Sequence, residues 1–300
     1  MLLYAAFTLV LMLVLWSQLP NPLPMLTLRV VAVAATVALW QLYRWRPCKF
    51  TALLRVVFQL VLLGSWYPDT YETNRIFLNL DHIFADWEQA LFGCQPALLF
   101  SQQCTSPVVS ELLCMGYVSY YPMIGAVAAY YFIKTYERMP YALFVILGAF
   151  FLFYVIFIFL PVAGPQYYYE AVGTGQIAQG SFPDLGHYFQ THQTSLATPG
   201  ADGLFHQLVQ QAHVAGERPT AAFPSSHVGI AVVLLWLARE SRSRWLFFSL
   251  LPLCVLMFFA TFYIQAHYAI DAIAGLIVGT LMYFVLRHIY RIITNKTSLI

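Results

Sequence analysis

The chain has 300 residues, of which 60% are apolar and 9% charged, and its mean hydropathy is +0.68. A soluble domain carries about 25% charged residues, so this composition excludes an ordinary cytosolic enzyme, a disordered chain and a fibrous repeat, and points to a polytopic membrane protein. The net charge of +2 excludes little; where the charges sit along the chain is more informative.

Apolar runs predict eight helices, over 2–17, 26–43, 52–66, 111–133, 141–161, 225–238, 245–265 and 267–287. A span takes about 20 residues, so the first, third and sixth are short. The first lacks a basic n-region and a small-residue cleavage site, and reads as a retained span. Two polar stretches, 67–110 and 162–223, interrupt the pattern. Within the first, 76–100 mixes apolar and acidic residues (Asp81, Asp86, Glu88) at helical spacing. It reads as an amphipathic helix lying on the outer membrane face, or as a packed outer loop. The five cysteines have no metal-ligand spacing. Cys94 and Cys104 pair if their segment faces an oxidising compartment; otherwise all five remain thiols.

Basic residues set the orientation. Arg44, Arg46, Lys49, Arg55, Lys134, Arg138, Arg239, Arg242, Arg244, Arg287, Arg291 and Lys296, 12 of the 15 Lys and Arg, fall on one side of an eight-span chain. Positive charge stays cytoplasmic. Both termini are therefore expected in the cytoplasm, with both polar stretches facing outward. A 17% share of aromatics suits interfacial belts, and the run Tyr167–Tyr169 reads as part of one. Gly275 and Gly279 read as small-residue helix packing.

Ionisable groups within spans cost about 2.5–3.5 kcal/mol each on insertion scales, and two occur together in YIQAHYAIDAIAG. His267 and Asp271 are spaced i, i+4, on one helical face. A carboxylate there accepts the imidazole N–H, fixes the tautomer and leaves the other ring nitrogen basic. The second cluster is ERPTAAFPSSHVGIAV. Pro224 opens a helix, placing Ser225, Ser226 and His227 in a first turn whose free N–H groups and dipole favour an anion. Arg218, just upstream, has the fork geometry that suits phosphate. His227 and His267 open spans that both start at the outer face, at similar depth. Two histidines, a carboxylate and an arginine at a helix N-terminus suit phosphoryl transfer through a phosphohistidine: one histidine attacks phosphorus and the other protonates the leaving oxygen. This reading requires no metal or other cofactor; zinc on the two histidines and the aspartate is the alternative. His187, His192, His206 and His213 read as solvated loop residues, with His206 and His213 able to share a helix face. His82 reads the same way, and His288 lies at the cytoplasmic end.

At FPSSH and ATFYIQAHYAIDAIAG the sequence resembles the type-2 phosphatidic acid phosphatase superfamily, which carries a PSGH-like motif and, one hairpin later, SRxxxxxHxxxD. Pro224, Ser225, Ser226, His227, His267, Asp271, Ala274 and Gly275 carry the match. The resemblance implies an all-α membrane bundle of about eight spans: a six-helix catalytic core over 52–300, preceded by two N-terminal spans over 1–51. It implies His267 as nucleophile, Asp271 as its orienting partner and His227 as general acid, with Arg218, Ser225 and Ser226 binding substrate. The sequence departs from the phosphatase pattern in its cations. Thr261 stands where the family has an arginine. The first-motif region, LPVAGPQYYYE, has no basic residue. Arg218 and Pro219 form an RP pair, but Gln211 stands at the matching lysine position.

That pattern looks like the branch of inositol phosphorylceramide and sphingomyelin synthases, which keep the triad without the full cation set. The implied activity is transfer of a phospho-head group from a phospholipid to a lipid alcohol such as ceramide. A lipid phosphate or pyrophosphate phosphatase with water as acceptor is the second reading. A monoester dianion needs more positive charge than a diester monoanion, which favours the first. A transporter or scaffold with a degenerate site is the third, though no inverted repeat is visible. The expected partners are membrane lipids, with neither nucleic acid nor a protein partner indicated.

Overall fold

The computed structural model describes residues 1–200 and 202–297. They form fourteen α-helices and no β-strand. In chain order these are α1 (Leu2–Val14), α2 (Pro22–Trp45), α3 (Lys49–Asn74), α4 (Asp81–Phe92), α5 (Pro96–Gln103), α6 (Pro107–Val118), α7 (Tyr120–Lys134), α8 (Met139–Phe159), α9 (Pro165–Val172), α10 (Thr174–Ala178), α11 (Leu204–Gly216), α12 (Ser226–Glu240), α13 (Arg244–Tyr263) and α14 (Ala269–Thr297). The polytopic helical membrane bundle expected from composition is what forms.

All eight predicted helices are present, with unequal lengths. Among the described residues, α2, α3, α8 with the turn before it, α13 and α14 are long and apolar enough to cross a membrane. The predicted span 111–133 is a pair, α6 and α7, bent by 47° at Ser119, which makes six if it is one span. The bend has a local cause. Pro122 has no N–H to offer the carbonyl of Val118, four residues back, and α6 ends at Val118. α1 and α12 have 13 and 15 residues. At 1.5 Å per residue they reach about 20 and 22 Å, short of a hydrocarbon core of about 30 Å.

α3, α6, α7, α8, α12, α13 and α14 enclose an aromatic-rich core around Trp66, Tyr131, Phe153, Phe157 and Tyr263. α1 and α2 pack onto it. Tyr4 stacks on Phe151 at 4.8 Å and meets Trp66 edge-on. The Arg29 guanidinium donates to both carboxylate oxygens of Asp69, at 2.9 and 2.8 Å, in a buried fork that joins α2 to α3. Charges in such a place persist only when paired.

α12 crosses α14 with backbones in contact. A Cβ added to Gly275 or Gly279 would run into the backbone of Ser225 or Gly229, so the glycine pair does provide close helix packing. At the Glu240 end of α12, that carboxylate accepts hydroxyls from Tyr141 and Tyr283 and a guanidinium N–H from Arg138 at 3.0 Å, joining α8, α12 and α14.

The two polar stretches fold into a cap of short helices. α4 is amphipathic, with apolar residues on its exposed face. Asp81, Phe84, Ala85 and Glu88 are buried, while Trp87, Leu91 and Phe92 are exposed. Asp81 and Glu88 face the protein and accept backbone N–H groups there, while Asp86 is exposed. The Tyr167–Tyr169 run is buried as well and forms no interfacial belt. Tyr168 donates to the Pro183 carbonyl and Tyr169 to Gln95. Cys94 and Cys104 carry free thiols.

Candidate active site

His267 sits in the link between α13 and α14, just after Gln265, whose φ is +64°. Its Nδ1 lies 2.7 Å from the carbonyl oxygen of Ala222. A carbonyl only accepts, so Nδ1 carries the proton and Nε2 keeps its lone pair. Nε2 points at Nδ1 of His227, 3.4 Å away. Asp271 stands beside this pair. Its Oδ2 is 3.7 Å from His267 Nδ1 and accepts the backbone N–H of Tyr268 at 2.8 Å. The tautomer expected from Asp271 is thus held directly by a backbone carbonyl, with the Asp271 carboxyl 3.7 Å away.

α12 begins at Ser226, after the N-cap Ser225, rather than at Pro224. Ser225 is fully buried. Its Oγ accepts from the Val228 N–H and its own N–H donates to the Asp271 carbonyl at 3.0 Å. Its side chain is therefore spent on the helix end. Close by, the His227 ring packs against Tyr117, stacked at 4.6 Å, and against Tyr120, tilted, at 4.5 Å. These two tyrosines flank the α6–α7 bend, so the proline-induced break places both beside the ring.

His227, Ser226 and Glu217 belong to the wall of a cavity of about 700 Å³. The rest of the wall is mostly apolar or aromatic and comes from α3, α6, α7, α8 and α11, including Leu60, Gly64, Tyr67, Ile124 and Phe150. Among the described residues no lysine or arginine lines it. Glu217 accepts the Tyr117 hydroxyl at 2.8 Å and the Gln166 amide at 2.7 Å, and lies 3.3 Å from His213 Nε2.

Of the residues singled out in sequence, the structure gathers His227, His267, Asp271, Ser225 and Ser226. Arg218 lies on the segment of chain joining α11 to α12. Its Nη1 donates to the Glu217 carbonyl at 2.9 Å. Thr261, at the position where the resembled pattern has an arginine, is buried and bonds within its own helix to Phe258. His206 and His213 do share α11, bound to Thr198 from two sides. His206 is buried there and is not the solvated residue anticipated. No three His, Cys, Asp or Glu converge as a metal-ion set among the described residues.

Sequence reasoning missed the Ala222 carbonyl, for which a backbone atom leaves no signal. It also missed Tyr117, Tyr120 and Glu217 as neighbours of His227. Pro122 was the available clue to the two tyrosines.

A family model described as the PAP2 superfamily matches residues 82–285. No curated protein and no solved structure matches the chain.

Proposed function

Because the chain belongs to the PAP2 superfamily, and so to a group of lipid phosphatases and phosphotransferases, we propose that it is a membrane-embedded transferase. It moves a phospho-head group from a phospholipid to a lipid alcohol such as ceramide. The observation that carries this reading is the His267 Nε2 lone pair facing His227 across 3.4 Å, beside an apolar cavity of about 700 Å³ without basic residues. Pockets of this size hold drug-sized or larger apolar ligands, and the lining suits the hydrocarbon part of a lipid.

In the first step His267 Nε2 attacks phosphorus and the bond to the diacylglycerol oxygen breaks. That oxygen takes a proton from the His227 imidazolium. The phosphorylated ring is left cationic, with Nδ1–H still bonded to Ala222, and the Asp271 carboxylate 3.7 Å away opposes its charge. In the second step His227, now neutral, accepts the proton of the incoming alcohol as its oxygen displaces His267. Arg218 and Ser226 are the proposed phosphate contacts. The poverty of cations supports a diester monoanion over a monoester dianion, and so the branch resembling inositol phosphorylceramide and sphingomyelin synthases. The distribution of basic residues supports cytoplasmic termini and an outward-facing site.

The test offers purified protein two substrates separately: a lipid phosphate monoester, and a phospholipid with labelled head group plus ceramide. Label on the ceramide without inorganic phosphate is the expected result. Inorganic phosphate released from the monoester overturns the reading in favour of a phosphatase.

A further inference from the structure

Three carboxylates with no exposed surface, Asp81, Glu88 and Asp271, surround one short stretch of chain, the link carrying His267. Burying a carboxylate is costly unless it is hydrogen-bonded. Asp271 belongs to the site. Asp81 and Glu88 do not, since their hydrogen bonds go to neither histidine.

Their partners lie on both sides of His267. The first donors of α14 are orphans, as at any helix start. The residue before α14 is Tyr268, whose side chain offers them nothing, because its hydroxyl donates to Asp81 at 3.0 Å. Glu88 takes the role from a different helix. Its Oε1 accepts the N–H of Ala269 at 2.5 Å and of Ile270 at 3.3 Å. On the other side, Asp81 accepts the N–H groups of Ala163 and Gly164 at 2.6 and 2.8 Å. The same turn presents the Val162 carbonyl to the Ala222 N–H at 3.0 Å, and the Ala222 carbonyl in turn receives His267 Nδ1. Gln166 N–H bonds the Gln265 carbonyl at 2.8 Å, closing the frame. One helix, α4, therefore holds both the backbone after His267 and the turn that supports its Nδ1 acceptor.

We propose that Glu88, assisted by Asp81, is a positioning residue that aims the His267 imidazole by fixing the 267–270 backbone from α4. This rests on the reading of His267 as nucleophile. The substitution Glu88→Gln keeps an uncharged side-chain oxygen that accepts both N–H groups, whereas Glu88→Ala leaves them orphaned.

The experiment uses full-length protein in lipid nanodiscs with ¹⁵N-labelled histidine, the His267 signals being assigned by their loss in His267→Asn. Wild type is expected to show the Nδ1–H tautomer at His267. Glu88→Gln should preserve that signature, and Glu88→Ala should shift it or mix the tautomers. Turnover of labelled phospholipid should fall about 10–100-fold in kcat in Glu88→Ala, the scale of an ångström of misplacement. KM should be little changed, and Glu88→Gln should restore most of the rate. An unaltered His267 signature in Glu88→Ala overturns the proposal. If Glu88→Ala does not stay folded, Tyr268→Phe, which loses only the hydroxyl on Asp81, is read the same way. If wild type turns over no phospholipid, the transferase reading fails, while the nitrogen spectra still decide the positioning role.

Discussion

Single side chains at this site are separable by chemistry. His267→Ala removes the proposed attacking nitrogen, so turnover should be abolished on every phosphodiester while the protein remains folded; retained activity refutes the assignment. His227→Ala should lose about 10²–10⁴-fold on a natural phospholipid, the usual contribution of a general acid. It should lose far less in phosphohistidine formation from a p-nitrophenyl phosphodiester, whose leaving group needs no proton. A burst of nitrophenolate in that variant, absent in His267→Ala, is the measurement. Glu88 carries a pH signature of its own. Burial, with Asp271 nearby, pushes its carboxyl from 4.5 up to about 8. The folded protein thus holds a proton that the unfolded chain releases, and stability falls as pH rises from about 4.5 to 8. Glu88→Gln should flatten that slope, raising the midpoint of thermal unfolding relative to wild type at about pH 8 more than at about pH 5. Equal shifts at both pH values contradict the assignment. At this scale the pairing of His267 with Asp271 was legible, but not as one helical face: His267 precedes α14, in the link, and stands 3.7 Å from Asp271 across the helix start. The Ala222 carbonyl was not legible, since any residue type presents one.

Helices position these groups through their ends and breaks. The α6–α7 bend delivers Tyr117 and Tyr120 to the His227 ring. Pro122→Ala allows a bond to the Val118 carbonyl and a straighter helix. It should lower turnover without lowering the unfolding midpoint, and unchanged turnover removes the bend from the argument. The α12–α14 crossing is less forgiving. Gly275→Val places side-chain atoms against the Ser225 backbone, two residues before His227. Overpacking of this kind costs about 1–3 kcal/mol and should lower the unfolding midpoint and the activity together. The eight apolar runs were readable as helices, while their ends were not. Helix ends depend on which polar termini the bundle buries, and α12 begins inside it, with Ser225 and Ser226 covered. α4 shows the same limit. Periodicity revealed two faces, and in a membrane protein an acidic face is as able to point inward at backbone donors as outward at water.

For the whole molecule, topology is the open quantity with a direct measurement. Cys48, exposed in the link before α3, and Cys94, in the link after α4, fall on opposite sides under the proposed orientation. In sealed right-side-out vesicles an impermeant maleimide should label Cys94 and spare Cys48; the reverse pattern inverts the site. Hydropathy by itself determined that the chain is a helical membrane bundle, since an apolar excess of this size has no soluble or fibrous outcome. Two short motifs likewise marked His227 and His267 as candidates, because each lies at or near a helix start, but that their rings meet across 3.4 Å is a tertiary contact. Only the tertiary structure decided the rest: that a carbonyl 45 residues before His267 fixes its tautomer, that Glu88, 181 residues before Ala269, caps α14 from another helix, and that an apolar cavity adjoins His227. Each joins atoms distant in sequence whose meeting depends on how helices of unequal length pack, and no local pattern encodes that packing.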